Sequence, residues 1–500
     1  MQRSPKRSYS KTQVQRLIDE AMAPLLARIA GLEKRVVSLE AENLRLRDEN
    51  AALTSANAAL TVENARLKTN SSNSSKPPSS DIVKPPKDPD SKGGPTGGGQ
   101  IGGQPGHAKH ERLVLPPGRV DEVKEYRPAS CPDCGGQVLA SRSKPKVLQQ
   151  IELAGRPLIV TEHKAFGVWC PHCQKTHPGT LPPEVLKAGL LGPRLTALAG
   201  WFKSRGHDSY STLAEFMEDV GGLKVSRGLL AKAIQKVSGA LAQPYEELAA
   251  ALPQEKQLNV DETGHPENGK LHWTWVFRAR RFTVFDIDPS RGSAVLRRIL
   301  GEQFQGVLGC DYFSAYRKYM GELAVLVQFC LAHLIRDVRF LATLPDAPTK
   351  RWAGQMLCGF RRLFGVIHRR AKLTEAGFQR SLVQARDALL ARGKRGPMRG
   401  EVQNLVTRLQ EHGAAYFRFV TTPGIEPTNN VAEQALRCVV IDRRLTQGTR
   451  SARGRDWCQR IWTAAATCRQ QGRSLYAYLC VAVESNFAGR PAPSLMPVGV

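Results

Sequence analysis

The sequence predicts a multidomain chain of mixed α+β and α/β class, and three patterns carry that prediction. Leucine recurs every seven positions across residues 12–68, two Cys-x-x-Cys pairs stand between 119 and 185, and from Gln257 three strand-like runs give way to alternating helices and strands. Each pattern has its own period, so each asks for a separate element or core. Five hundred residues also exceed what a single core holds. The expected order is a coiled-coil helix (1–68), a linker (69–118), a cysteine module (119–185), a helical region (186–254), a sheet domain (255–345), a helical insertion (346–420), the return of the sheet domain (421–475) and a C-terminal tail (476–500).

A formal charge of +27 favours a polyanionic partner, most simply double-stranded DNA. The N-terminus is polar and basic without an apolar core, and no apolar run approaches bilayer length, so a cytoplasmic, nucleoid-associated protein without a membrane partner is expected. In a reducing compartment eleven cysteines point to metal before disulfides where they cluster.

In the first segment Leu25, Leu32, Leu39, Leu46, Leu53, Leu60 and Leu67 take heptad position d. Position a is then Ile29, Val36, Asn43, Asn50, Asn57 and Asn64. Leucine at d with asparagine at a favours a parallel dimer, because paired amides satisfy each other only in register. A homodimer or higher oligomer follows. Residues 69–118 change to Ser, Pro, Gly and Lys, which cannot bury enough apolar surface to fold alone. Cys131, Cys134, Cys170 and Cys173 have the spacing of two knuckles around one tetrahedral ion, so 119–185 reads as a zinc ribbon with structural Zn2+. In 186–254, helix (212–220), glycine pair (Gly221, Gly222), N-cap Ser226 and a second helix outline a helix-turn-helix. This helical DNA-binding region would offer Arg227, Lys232 and Lys236 to DNA.

From Gln257 the strands are expected at 257–263, 271–280 and 282–288, with a turn at Gly264, followed by helix 293–304, a strand ending near Asp311, strand 324–330 and a helix through His333 and Arg336. Three antiparallel strands followed by α–β–α–β–α is the order of the ribonuclease-H-like fold, in which the first and fourth strands are neighbours. Asp261 and Asp311 would then lie side by side. Strand alternation sends Glu262 to the opposite face, where a structural role is expected.

The zipper, the linker with Gly102-Gly-Gln-Pro-Gly-His107, the paired Cys-x-x-Cys, Val260-Asp-Glu-Thr-Gly264, Phe329-Cys-x-x-His333 and Asn429-Asn-x-x-Glu433-x-x-x-Arg437 occur in that order. Together they resemble the insertion-sequence-66 family of bacterial transposases over nearly the whole chain. One departure is Tyr312, where the family commonly has glycine after the second acid. The resemblance implies a DDE transposase with Asp261, Asp311 and Glu433 as catalytic acids. It implies Mg2+ (or Mn2+) there, since hard ions take carboxylate ligands and a two-ion site can activate the nucleophile and stabilise the leaving oxygen. It also suggests accessory proteins from the same element. On residues alone Glu433 and Arg437 are one helical turn apart and would read as an ion pair. His333 and Arg336 are expected beside the acids, and Arg437, Arg443, Arg444 and Arg450 against DNA phosphates. The readings to be separated are cleavage with strand transfer, a nuclease without strand transfer, and an inactive zipper-dimerised DNA-binding protein.

Overall fold

The computed structural model describes residues 10–67, 115–125, scattered positions from 133 to 155, and 157–497 except 173 and 178. The linker from 68 to 114, Cys131 and Cys173 lie outside the described residues, as does the side chain of Cys170. The metal ribbon and most of the linker therefore stay expectations.

The chain begins with α1 (Lys11–Leu67), a single helix of 57 residues, about 85 Å long at 1.5 Å per residue. Its d-position leucines are all exposed, from 48% at Leu46 to 79% at Leu67. A short hairpin of β1 (Val168–Cys170) and β2 (Lys175–His177) follows, then α2 (Pro183–Ala188), α3 (Pro193–Trp201), α4 (Tyr210–Asp219), α5 (Arg227–Ala240) and α6 (Ala242–Ala251). The sheet region comprises β3 (Gln257–Glu267), β4 (Lys270–Arg278), β5 (Thr283–Asp288), α7 (Ser293–Leu300), β6 (Val307–Cys310), α8 (Ser314–Leu323), β7 (Leu326–Phe329) and α9 (Leu331–Thr343). Helices α10 (Ala347–His368), α11 (Glu375–Gly393), α12 (Gly400–Tyr416) and α13 (Arg418–Thr421) form the insertion, and α14 (Asn430–Thr446), α15 (Ala452–Gln470) and α16 (Leu475–Phe487) complete the chain.

These elements gather into two compact units, residues 1–85 with 248–444, and 86–247 with 445–500. In the first, five strands lie in the order β5-β4-β3-β6-β7. Strands β3, β4 and β5 form an antiparallel meander, while β6 runs parallel to β3, and β7 parallel to β6. The turn expected at Gly264 does not occur: β3 continues to Glu267 and reverses at Asn268 and Gly269, whose φ values are 48° and 77°. Both are positive, as a tight two-residue hairpin requires, and Asn-Gly is the dipeptide that adopts them most readily. In β4 the alternation of aromatic and polar positions is overridden. Trp275, Val276 and Phe277 are all fully buried, so both faces are covered.

In the second unit Ser226 caps α5 by accepting the N–H of Leu229, and Gly222 turns the chain at φ 63°. The helix, glycine turn and N-cap thus fall where the sequence sets them. Residues 476–500, expected as a tail, instead supply most of α16, which packs on α3 and α5 and buries Tyr478, Leu479, Ala482, Val483 and Phe487. Leu495 is also buried. The apolar residues of α16 run round the helix without a clear face, and its partners are distant in sequence. Among the described residues no helix is long and apolar enough to cross a membrane.

Candidate active site

Two carboxylates come together through strand register. The parallel pairing of β3 and β6 ends at Asn259 opposite Gly309. Asp261 and Asp311 each stand two residues beyond those positions, at the same end of adjacent strands. Gly309 is required at this point, because a Cβ there would approach Asn259 Nδ2 to 2.5 Å. Asp261 Oδ1 accepts the N–H of Glu262 at 2.9 Å, and Asp311 Oδ1 accepts that of Phe313 at 2.9 Å. Burial raises Asp261 well above the usual carboxylate range, reinforced by the charges of Glu262, Asp311 and Glu433. Burial raises Asp311 too; Phe313 and Arg291 oppose the rise and Glu433 adds to it.

Glu433 reaches this place across the whole insertion, and the start of α14 is fixed by long-range bonds. The side-chain amide of Asn429 donates to the Val260 carbonyl at 2.8 Å and accepts from Asn259 Nδ2 at 2.9 Å. Its backbone N–H points to Cys330 Sγ at 3.1 Å, and the Pro427 carbonyl accepts the N–H of Leu331 at 2.9 Å. Farther along the helix, Arg443 donates to Thr263 Oγ1 at 2.8 Å and to the Gly264 carbonyl. Asn429 is thus an anchor, buried to 1% exposure. Arg336 Nη2 stands 3.3 Å from Glu433 Oε1, with His333 Nε2 at 3.8 Å, so the cation at this carboxylate is Arg336 and not the Arg437 of the alternative ion-pair reading. Burial, with Arg336 and Arg408 nearby, lowers His333 to about 3, so its imidazole is neutral.

The largest charges acting on Asp261 are carboxylates, whereas arginines reach the other two acids: Arg291 and Arg408 act on Asp311, and Arg336 faces Glu433. Oxygen donors of this kind suit a hard divalent cation. The donor set at Asp261, Asp311 and Glu433 therefore fits Mg2+ or Mn2+.

The neighbouring Glu262 has the opposite character. Arg291 donates to its Oε1 from Nε at 2.9 Å and from Nη2 at 2.8 Å, and Tyr316 donates its hydroxyl. Arg291 is itself held between the rings of Trp273 and Phe313, at 4.4 and 3.9 Å from their centroids. Tyr312 is packed as well. The guanidinium groups of Arg317 and Arg408 each lie 4.5 Å from its ring, and Tyr416 stacks on it. Arg408, on α12, pairs with Asp337 at 2.6 Å, so the insertion grips the residue after the second acid. Asn259, Arg291 and Arg408 carried no usable sequence signal, whereas Asn429 stood in the Asn-Asn doublet already noted.

The expected DNA-facing set divides. Arg437, Arg444, Arg450, Arg227 and Lys232 are exposed. Lys236 instead donates to the Ala188 carbonyl at 3.0 Å, closing α2, and sits over the Phe487 ring. Burial lowers its pKa, aided by Lys232. Arg443 is spent on β3. Cys134 is exposed and in no disulfide.

No curated protein matches the chain. Residues 2–113 match a family of unknown function (DUF6444), a span that takes in α1 and nearly all of the linker. Residues 188–456 match the transposase IS66 family, and that stretch contains Asp261, Asp311, Glu433 and every strand of the five-stranded sheet. Since the match extends over more than half of its length, the chain belongs to the transposase IS66 family.

Proposed function

We propose that the chain is an active DDE transposase that cleaves DNA at the ends of a mobile element and joins the 3′ ends to target DNA. The observation carrying this reading is the convergence of Asp261, Asp311 and Glu433, from two adjacent strands and a distant helix, into one electrostatically coupled group. The strand order, with the first strand beside the fourth, supports a ribonuclease-H-like catalytic domain.

In this reading Asp261, Asp311 and Glu433 hold Mg2+ (or Mn2+). Bound there, the divalent ions would activate the oxygen nucleophile and offset charge on the leaving 3′ oxygen. Asn429 and Asn259 fix where α14 begins, Arg336 and His333 orient the Glu433 carboxylate, and the Phe313 N–H orients Asp311. Arg437 and Arg444, exposed beyond Glu433 on α14, contact phosphates. In the second unit Arg450, Arg227 and Lys232 contact DNA as well, with α4 and α5 as a helix-turn-helix. The exposed leucine stripe of α1 pairs with a second copy in a parallel zipper, which would bring two element ends under one assembly. Cys131, Cys134, Cys170 and Cys173 hold structural Zn2+.

The test is incubation of the full chain with Mg2+ and end-labelled element DNA. Cleaved and joined products are expected from the wild type, and neither from Asp261→Asn, which should still bind DNA. Cleavage without any joined product would assign a nuclease instead, and unchanged products from Asp261→Asn would overturn the catalytic assignment.

A further inference from the structure

Glu433 has a second set of neighbours besides the two aspartates. One potential ligand atom from each of Cys330, His333 and Glu433 lies within 4.8 Å of the other two. The three come from one junction: Cys330 follows β7 as the N-cap residue of α9, His333 lies in the first turn of α9, and Glu433 is delivered by the Asn429 anchor. A thiol, an imidazole and a carboxylate are donors for Zn2+ and similar borderline ions, not for Mg2+.

Two further features favour a ligand at this place. The Cys330 sulfur accepts the N–H of Asn429 at 3.1 Å and faces the N–H groups of Ala332 and His333. Burial pushes the Cys330 thiol up and these backbone donors oppose the rise without cancelling it, so the thiolate forms only when a cation takes it. The His333 ring, 15% exposed, has its Nδ1 buried without a hydrogen-bond partner, and its Nε2 faces only the Glu433 carboxylate, 3.8 Å away. A buried polar atom left without a partner is uncommon in a folded protein. Glu433, 29% exposed, leaves the cluster open to solvent.

We propose that Cys330, His333 and Glu433 form a second cation site, for Zn2+ or a similar borderline ion, that competes with Asp261 and Asp311 for Glu433. Binding releases the thiol proton to solvent and forms bonds from the ion to sulfur, nitrogen and oxygen, with water completing four-coordination. Arg336 must release the Glu433 oxygen it now faces at 3.3 Å. With Glu433 drawn to this side, the acid group loses its third member, so Zn2+ would inhibit Mg2+-supported chemistry. The inhibitory consequence rests on the catalytic reading above; the binding site itself does not.

The test uses the full chain, with Co2+ as a spectroscopic probe and Zn2+ content measured after dialysis. Cys330→Ser keeps an oxygen able to cap α9, and should bind one ion fewer than the wild type and lose intensity in the sulfur-to-cobalt charge-transfer band. His333→Gln should lose the same ion, whereas Cys438→Ser, on neighbouring α14, should keep it. Ion content and spectrum equal to wild type in both Cys330→Ser and His333→Gln would overturn the site. In cleavage assays at fixed Mg2+, half-inhibition of Cys330→Ser should need at least about tenfold more Zn2+, the lower end of what lost ligand support costs in affinity. Equal inhibition would overturn the competition. Asp261→Asn should keep the Co2+ signal while losing cleavage, so failure of the catalytic reading is read independently of failure at Cys330.

Discussion

Asp261 and Glu262 are adjacent carboxylates on one strand, Glu262 buried and Asp261 half-buried, and they meet different partners. Glu262 accepts from Arg291 and Tyr316, which oppose the rise that burial and Asp311 impose on it. Asp261 shares its side of β3 with Asn259, and the largest charges acting on it, those of Glu262, Asp311 and Glu433, are all negative. A buried acid with its own cation holds the fold together; a buried acid kept among other acids costs stability and makes sense where a cation is to be bound. Burial alone does not separate structure from site. The sign of the neighbours does.

That contrast can be broken most sharply at Asp261. Asp261→Asn should lower cleavage by at least about 10³-fold, since losing several kcal/mol of charge stabilisation at tenfold per 1.4 kcal/mol gives that order. Differential scanning of the ion-free protein should show the reverse effect on stability. A carboxyl whose folded pKa is raised favours folding at low pH, and that contribution is lost as pH rises through the folded value. The wild type should therefore lose stability relative to Asp261→Asn as pH climbs above the ordinary carboxylate range, and Mg2+ should restore it. A stability difference that stays constant with pH would refute the like-charge account.

Glu262→Gln should behave oppositely, leaving ion binding in place while destabilising the fold by roughly 2–4 kcal/mol. Breaking a buried pair costs about 3–5 kcal/mol, reduced here because Arg291 is partly exposed. Chemical denaturation measures it, and a neutral outcome would mean that Tyr316 and Arg291 re-pair without Glu262. Asn429→Ala should cost about 1–3 kcal/mol, as expected when Val260 and Asn259 lose a buried hydrogen-bond partner. It should also weaken Mn2+ binding, measured by titration, because α14 would no longer fix Glu433. The smallest effect is expected at the surface: Arg444→Gln should reduce the slope of log affinity against log salt by about 0.9. A larger loss would mean that this arginine does more than meet one phosphate.

Much of this architecture was legible because its periods are local. The sevenfold leucines give α1, the runs from Gln257 and the alternation after them give the sheet, and Ser226 marks the start of α5. Even the hairpin at Asn268-Gly269 was written in a dipeptide, although Gly264 drew the expected turn too early. Asp261 and Asp311 could be paired from strand order alone, since adjacent parallel strands end together. What sequence could not decide was which cations are spent internally. Lys236 and Arg443 look like their exposed neighbours in composition, yet one closes α2 and the other fastens α14 to β3. The alternative reading of Glu433, an ion pair with Arg437, came from local spacing, whereas the arginine that meets it, Arg336, lies 97 residues away. Helical and strand periods follow from backbone geometry, so the sequence determined the elements and the two aspartates. Burial and partner choice depend on contacts between segments far apart in the chain, so tertiary structure alone decided what surrounds Glu433.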